Sequence, residues 1–504
     1  MIKLIYRIES DYMSKKRMLI VTSVTLSVVT ISLGIVKLYQ TYALSNYIGT
    51  VTDTGIDVYI NDDSYASIPA NGSSNVYYML TNTNPGTVKY GVAYQTTSGV
   101  TVKVYDTSED PATGTIEEND KKYIKLHLEN KNSTNKTIEL STVLGYENGG
   151  DLVVPSGVTL VTDTYTPPPT AAEYITKLYT TASKTTVTNN SITYNTAPSV
   201  SLMNDRLGGT TTDLDGGNIR YYGASPNNYI YFNCSDYSNQ TSSTCETWRI
   251  IGVFDGKLKL IRGSQIGTYS WDNKNTSTGA ENDAGKNDWT TARLMKLLNP
   301  SDYYIADSND NGLGQSLYYN SASGKCYSGE NNATVDCDFT STGIKNDETK
   351  NMIAETTYNL GGWNLSGIYA NQIYEYERGT TVYSGRPTTW KGKIALAYPS
   401  DYGYAADLNQ CKDKTLYDYD NRTCTSNNWM KAIITNNGSN SGWLLTPYCS
   451  TSSNVWYVYP VGNVYFNYTV YSAFGAVPVL SLSSELGIES GGDGSSSNPY
   501  KLSA

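Results

Sequence analysis

The stretch from Trp443 to Leu482 constrains the fold more than any other part of this chain. It reads Trp443-Leu444-Leu445-Thr446-Pro447, then an aromatic run, then Phe474-Gly475-Ala476-Val477-Pro478-Val479-Leu480-Ser481-Leu482. The first pentad reads as a turn exposed to water. The aromatic run reads as two short strands, and the close as an apolar strand. A segment of this kind identifies a β-rich fold better than it identifies a ligand.

The rest of the chain agrees. Of its aromatic residues 46 are Tyr and only 5 are Phe, and charged residues make up just 17%. Tyr and Thr favour pleated, half-buried surfaces, while Asn, Gly and Ser favour turns. A mostly β, α+β protein is expected. With 504 residues it is too long for one core, so two or three domains follow. The net charge of −10 and the lack of a Lys/Arg stripe give no electrostatic reason for a nucleic-acid partner.

There is a single histidine, His127. In Tyr123-Ile124-Lys125-Leu126-His127-Leu128 the period of two places it on the polar face of a strand, where an exposed histidine is expected. Any Ser-His or Cys-His catalytic pair would have to use it, and no His-rich zinc site can be built.

Residues 18–36 form an uncharged apolar run preceded by Lys15-Lys16-Arg17. A helix of that length spans a bilayer, and the basic cluster keeps the N-terminus in the cytoplasm. A cleaved signal peptide is the rival, with Thr41-Tyr42-Ala43 as a cleavage site. Either way residues after about 40 are exported. As an anchor, the segment makes the protein a single-pass cell-membrane protein with an extracellular bulk and a cytoplasmic tail at 1–17. Six of the seven cysteines form close pairs, Cys234/Cys245, Cys326/Cys337 and Cys411/Cys424, each in a polar loop. In an oxidising compartment such pairs become disulfides. Cys449 is left over, and a buried thiol is its expected state.

Residues 50–165 carry about seven short alternating strands separated by turn signals such as Asn84-Pro85-Gly86. That spacing suggests an immunoglobulin-like β-sandwich. The proline run within 166–170 is a stiff linker. A larger domain follows over 171–486, and residues 487–504 read as a flexible Gly/Ser tail. Within the larger domain, helices are expected at 171–183, at 289–298 with Asp288 as N-cap, at 346–360 and at 429–435. Trp248 to Phe254 and Lys257 to Arg262 form a hairpin about Asp255-Gly256.

Three motifs then fall in order: Trp248-Arg249-Ile250-Ile251-Gly252-Val253 with its partner strand, Trp289-x-x-Ala292-Arg293-Leu294, and the closing Trp443 and Gly475 segments. Over roughly residues 198–484 this resembles a family of bacterial surface domains similar to C-type lectins and formylglycine-generating enzymes. The tail also resembles segments common in Gram-positive surface proteins. The resemblance implies a lectin-like fold and a recognition role. Relatives often carry arginine where this chain has Leu445 and Val477, so their inner polar network is not expected here. The calcium-dependent sugar motifs of lectins are missing.

Two groups of residues are candidate sites. Asp307, Asn309 and Asn311 have the spacing that opens a calcium loop, but Tyr318 stands where an EF-hand needs Glu. A plain polar turn is the favoured reading there, and calcium is the one cofactor the spacing suggests. Tyr448, Tyr457, Tyr459, Tyr465, Tyr468 and Tyr471 crowd the closing segment, where Trp443 and Trp456 are expected in the core. Exposed tyrosines among them would suit a glycan or protein partner. The leading expectation is a non-catalytic, membrane-anchored adhesion or recognition protein. An enzyme of the formylglycine-generating type, with Cys449 as its thiol, and a structural envelope protein are the alternatives.

Overall fold

The computed structural model describes residues 58–60, 64–83, 86–145, 152–273, 284–305, 312–365 and 367–503. The apolar run at 18–36 and the loop carrying Asp307, Asn309 and Asn311 lie outside them. Among the described residues no helix is long and apolar enough to cross a membrane. The fold is mostly β with few helices. The chain divides into two compact units between Pro167 and Pro168.

The first unit runs β1 (Val58–Ile60), β2 (Ser64–Ile68), β3 (Gly72–Thr81), β4 (Val88–Gln95) and β5 (Val100–Tyr105). It continues with β6 (Thr113–Ile116), β7 (Lys121–Asn130), β8 (Lys136–Gly145), β9 (Val158–Leu160) and β10 (Thr164–Tyr165). Two sheets form a sandwich, in the orders β1-β3-β7-β5-β10 and β2-β8-β4-β6, with β9 beside β4. Alternate residues such as Val76 and Tyr78, Leu126 and Leu128, and Ile138 and Leu140 fill one core between the sheets.

His127 departs from expectation. It lies on the predicted face of β7 but is only 6% exposed. Tyr165 stacks on its ring with centroids 3.6 Å apart, and Asn75 Oδ1 is 2.8 Å from Nδ1. Burial pushes its pKa below the usual value despite the nearby Glu129. Outer-face alternation does not imply exposure when a neighbouring strand brings an aromatic lid.

The second unit opens with α1 (Ala171–Thr181), β11 (Thr185–Asn189), β12 (Ile192–Ala197), β13 (Leu202–Asn204), β14 (Ile219–Tyr221) and β15 (Tyr229–Phe232). Then come β16 (Glu246–Phe254), β17 (Lys257–Arg262), β18 (Thr268–Ser270), α2 (Arg293–Leu298), β19 (Ser323–Tyr327) and β20 (Thr334–Asp338). The middle holds α3 (Asp347–Met352), β21 (Thr356–Asn359), α4 (Ala370–Glu377), β22 (Thr389–Gly392), β23 (Ile394–Ala395) and α5 (Pro399–Tyr404). Next are α6 (Arg422–Ser426), α7 (Trp429–Ile434), β24 (Gly442–Pro447), β25 (Val455–Val458) and β26 (Val464–Tyr465). Last are β27 (Ala473–Gly475), β28 (Val479–Ser481), β29 (Gly487–Ile488) and β30 (Leu502–Ser503).

A nine-stranded sheet, β11-β12-β13-β14-β16-β17-β28-β23 with β15 also on β16, divides the unit into two cores. Trp248, Ile250, Leu258 and Leu260 enter one core with α1 and α2. Ile251 and Ile261 enter the other with residues of α4, α5 and α7. A strand buried on both faces favours an unbroken apolar run, and Ile250 to Phe254 of β16 has one, whereas Arg249 of β16 and Lys259 and Arg262 of β17 are charges that the fold has to bury. Their turn has φ 48° at Asp255 and 71° at Gly256, the left-handed pair that a two-residue hairpin requires. A second sheet runs β18-β27-β24-β25-β26.

Several boundaries shift from the expected ones. Asp288 caps only a turn, accepting the Thr290 N–H at 3.0 Å, and α2 starts at Arg293. Asn299 ends it as expected, its amide donating to the Met295 carbonyl at 3.0 Å. The helix expected over 346–360 stops at Met352, because the β-branched and aromatic Thr356-Thr357-Tyr358 pairs with β22 as a strand. Trp443 to Pro447 is no wet turn: all of β24 is buried, and Trp443 Nε1 donates to the Tyr269 carbonyl at 2.8 Å. Leu445 and Val477 both lie in apolar cores. The expected flexible tail is folded. β29 pairs with β30, Tyr500 and Leu502 are buried, and Tyr231 N–H donates to the Tyr500 carbonyl at 2.9 Å. Its Gly/Ser composition hides the two apolar anchors that hold it.

The cysteines pair as their proximity predicts: Cys234–Cys245, Cys326–Cys337 and Cys411–Cys424. The second bond cross-links the β19–β20 hairpin. Cys449 is free and half-buried.

Candidate functional site

The six tyrosines of the closing segment separate by depth. Tyr457 is wholly buried, and its hydroxyl donates to Asn467 Oδ1. Trp443, Tyr459, Tyr465, Tyr468 and Phe474 surround its ring. Tyr448 is half-buried, stacked on Phe466 at 4.1 Å, with its hydroxyl donating to the Asn364 carbonyl at 2.7 Å. Tyr465 is half-buried between Phe466 and Tyr417. Tyr471 is half-buried, and its carbonyl accepts the Ser270 hydroxyl at 2.7 Å. Only Tyr459 and Tyr468, 42% and 43% exposed, offer broad wet surface. Trp443 and Trp456 are core residues, as expected. Most of this cluster is therefore packing. Among the described residues no three or more His, Cys, Asp or Glu are grouped to hold a metal ion.

A cleft of about 470 Å³ lies elsewhere, where β15, β16 and the end of β17 meet α7. Tyr229, Thr247, Arg249, Ser264, Trp429 and Asn437 help line it. Arg249 is 6% exposed, its guanidinium carbon 3.7 Å from the Tyr229 ring centroid and 4.8 Å from that of Trp429. Its Nε donates to Asn228 Oδ1 at 2.5 Å, and Nη2 to the Pro226 carbonyl at 3.2 Å. Among the described residues no carboxylate pairs with it. Burial lowers its pKa to about 10, only partly opposed by Tyr229. On the rim, Glu246 is engaged bidentately by Arg262, at 3.0 Å and 3.1 Å.

Other buried charges in the unit are treated differently. Arg220 pairs with Asp205 at 2.5 Å and with Asp401 at 2.9 Å, and Lys259 pairs with Asp401 at 2.5 Å. All four side chains are nearly or wholly buried, and two cations face two carboxylates. A balanced, enclosed network of this kind is structural. Arg249 instead borders open space with neutral acceptors alone.

In the sequence Trp248-Arg249-Ile250-Ile251 stands as a fold marker. The signal of a site is Arg249 inside a buried stretch, Trp248 to Val253, whose other residues are apolar or Gly. Trp429 could not be joined to it, since it lies 180 residues further along the chain, and Tyr229 meets it only through the β15–β16 pairing. No family model, curated protein or solved structure matches this chain.

Proposed function

We propose that the chain is exported and anchored at the cell surface, where the sandwich serves as a spacer and the second unit as a lectin-like recognition domain for a glycan or protein ligand. The observation that carries this reading is the open cleft with the Arg249 guanidinium packed against two aromatic rings. A few placed polar groups in a concave, partly aromatic site is the usual design of a ligand pocket. Three disulfides fit an oxidising extracellular compartment. The apolar run at 18–36 supplies the anchor. Against the enzyme alternative, burial raises the pKa of the free Cys449 thiol, which reduces the thiolate a nucleophile needs.

The test is an array of glycans and matrix proteins probed with the full-length protein. Saturable binding to at least one class is expected. Binding to none of them would sink the recognition reading.

A further inference from the structure

Arg249 sits in a part of the cleft where the fold supplies a cation and withholds the anion. The Nε/Nη2 side of its fork is held by Asn228 and Pro226, which fixes the plane of the guanidinium. Tyr229 and Trp429 both pack against it. What remains is the Nη1/Nη2 end, a planar pair of donors that matches a carboxylate bidentately. The Glu246–Arg262 pair beside it is already neutral, so the cleft carries one net positive charge.

We infer that the cleft binds an acidic sugar, whose carboxylate is held end-on by Arg249. This rests on the recognition reading above and names its ligand class. The remaining lining is what a polyhydroxylated ring needs: the hydroxyls of Thr247 and Ser264 and the amide of Asn437 each donate and accept. Ala432 and Ile433 of α7 supply apolar surface for the C–H groups of the ring. A volume of about 470 Å³ falls in the range of small-ligand sites. A peptide carboxylate fits less well. An extended peptide would add to a free strand edge, but the outer edge of β15 is occupied. Tyr229 N–H donates to the Gly494 carbonyl at 2.8 Å, and Tyr500 N–H donates to that of Tyr229 at 2.9 Å.

The experiment is calorimetric titration of the full-length protein with a uronic-acid trisaccharide and with the same trisaccharide reduced from carboxylate to alcohol. The acidic form is expected to bind at least ten-fold more tightly, and the preference is expected to fall as salt rises. Arg249→Met should remove that preference. Because Arg249 is buried, the variant's folding is checked by tryptophan fluorescence. Thr247→Glu provides the second variant. Thr247 is exposed, so the substitution leaves the core intact while placing a carboxylate in the cleft, and binding of the acidic trisaccharide should drop at least ten-fold. Equal affinity for the two trisaccharides, or undiminished acidic binding in Thr247→Glu, overturns the inference. A chain that fails here yet binds another ligand on the arrays refutes the acidic-sugar assignment alone. A chain that binds nothing on either assay refutes the recognition reading as well.

Discussion

The buried quartet of Asp205, Arg220, Lys259 and Asp401 gives a quantitative test of how the second unit is held together. Asp401 is wholly buried and carries three donors: Arg220 at 2.9 Å, Lys259 at 2.5 Å and the Tyr398 N–H at 3.0 Å. The two cations push its pKa below the ordinary carboxylate value in spite of burial, the largest influence, acting the other way. No spare acceptor stands by, since Nη2 of Arg220 already has no partner among the described residues. Asp401→Asn preserves shape and removes one negative charge, leaving two buried cations against one carboxylate. Breaking a buried pair in this way costs about 3–5 kcal/mol. Lys259→Met keeps the volume of the stem and leaves the opposite imbalance, with a cost of the same order. The double variant restores one cation against one carboxylate. It should lie within about 3 kcal/mol of the parent, well short of the sum of the singles, because contacting charges couple.

Urea denaturation followed by tryptophan fluorescence reads this out cleanly. All eight tryptophans lie after Pro168, so the signal reports the second unit alone. A midpoint shift with unchanged slope measures the loss of stability. Single-variant costs that simply add, to within about 0.5 kcal/mol, would refute the claim that the quartet is one charge-balanced unit.

Three further outcomes follow from the packing. Tyr457→Ala should destabilise the second unit by about 3–5 kcal/mol in the same urea assay, as for a large buried ring, whereas Tyr468→Ala, at a 43% exposed position, should change it by less than about 0.5 kcal/mol; similar costs for the two would contradict the assigned depths. Replacing Cys326 and Cys337 by Ser opens a link of sequence separation 11, worth about 3 kcal/mol in the loop-entropy account, and a thermal midpoint equal to the parent's would remove that role. Burial raises the Glu377 carboxyl from 4.5 to about 7, so the folded state holds its proton more tightly than the unfolded chain does. Its stabilisation is full below pH 4.5 and is lost as pH rises through about 7. Glu377→Gln should flatten that part of the stability curve, by up to about 3 kcal/mol, and an unaltered pH profile would show that Glu377 does not titrate there.

What the sequence disclosed and what it concealed follow from the range of the interactions. Local chemistry was legible. Asp255-Gly256 specifies a left-handed turn, and close cysteines pair. Period-two patterns located the sandwich strands. Burial was not legible wherever a distant segment supplies the cover. Alternation placed His127 on the right face, yet only the fold brings Tyr165 over it. The tail looked flexible because Gly and Ser dominate it, yet Tyr500 and Leu502 dock beside β15 and Gln240. The site shows the same limit most sharply. The tyrosine cluster of the closing segment has its central ring, Tyr457, wholly buried. Arg249 hid inside a motif valued for its apolar neighbours. An arginine on a doubly buried strand needs either a partner or a purpose, and sequence alone cannot say which, because its carboxylate could come from any part of the chain. In Arg220 the partners arrive from β13–β14 and from α5. In Arg249 the same strand geometry meets an amide, a carbonyl, the Tyr229 hydroxyl and two aromatic rings, all of them neutral. The difference between a structural cation and a recognition cation is thus a property of tertiary neighbours, and it separates two arginines that look alike in sequence.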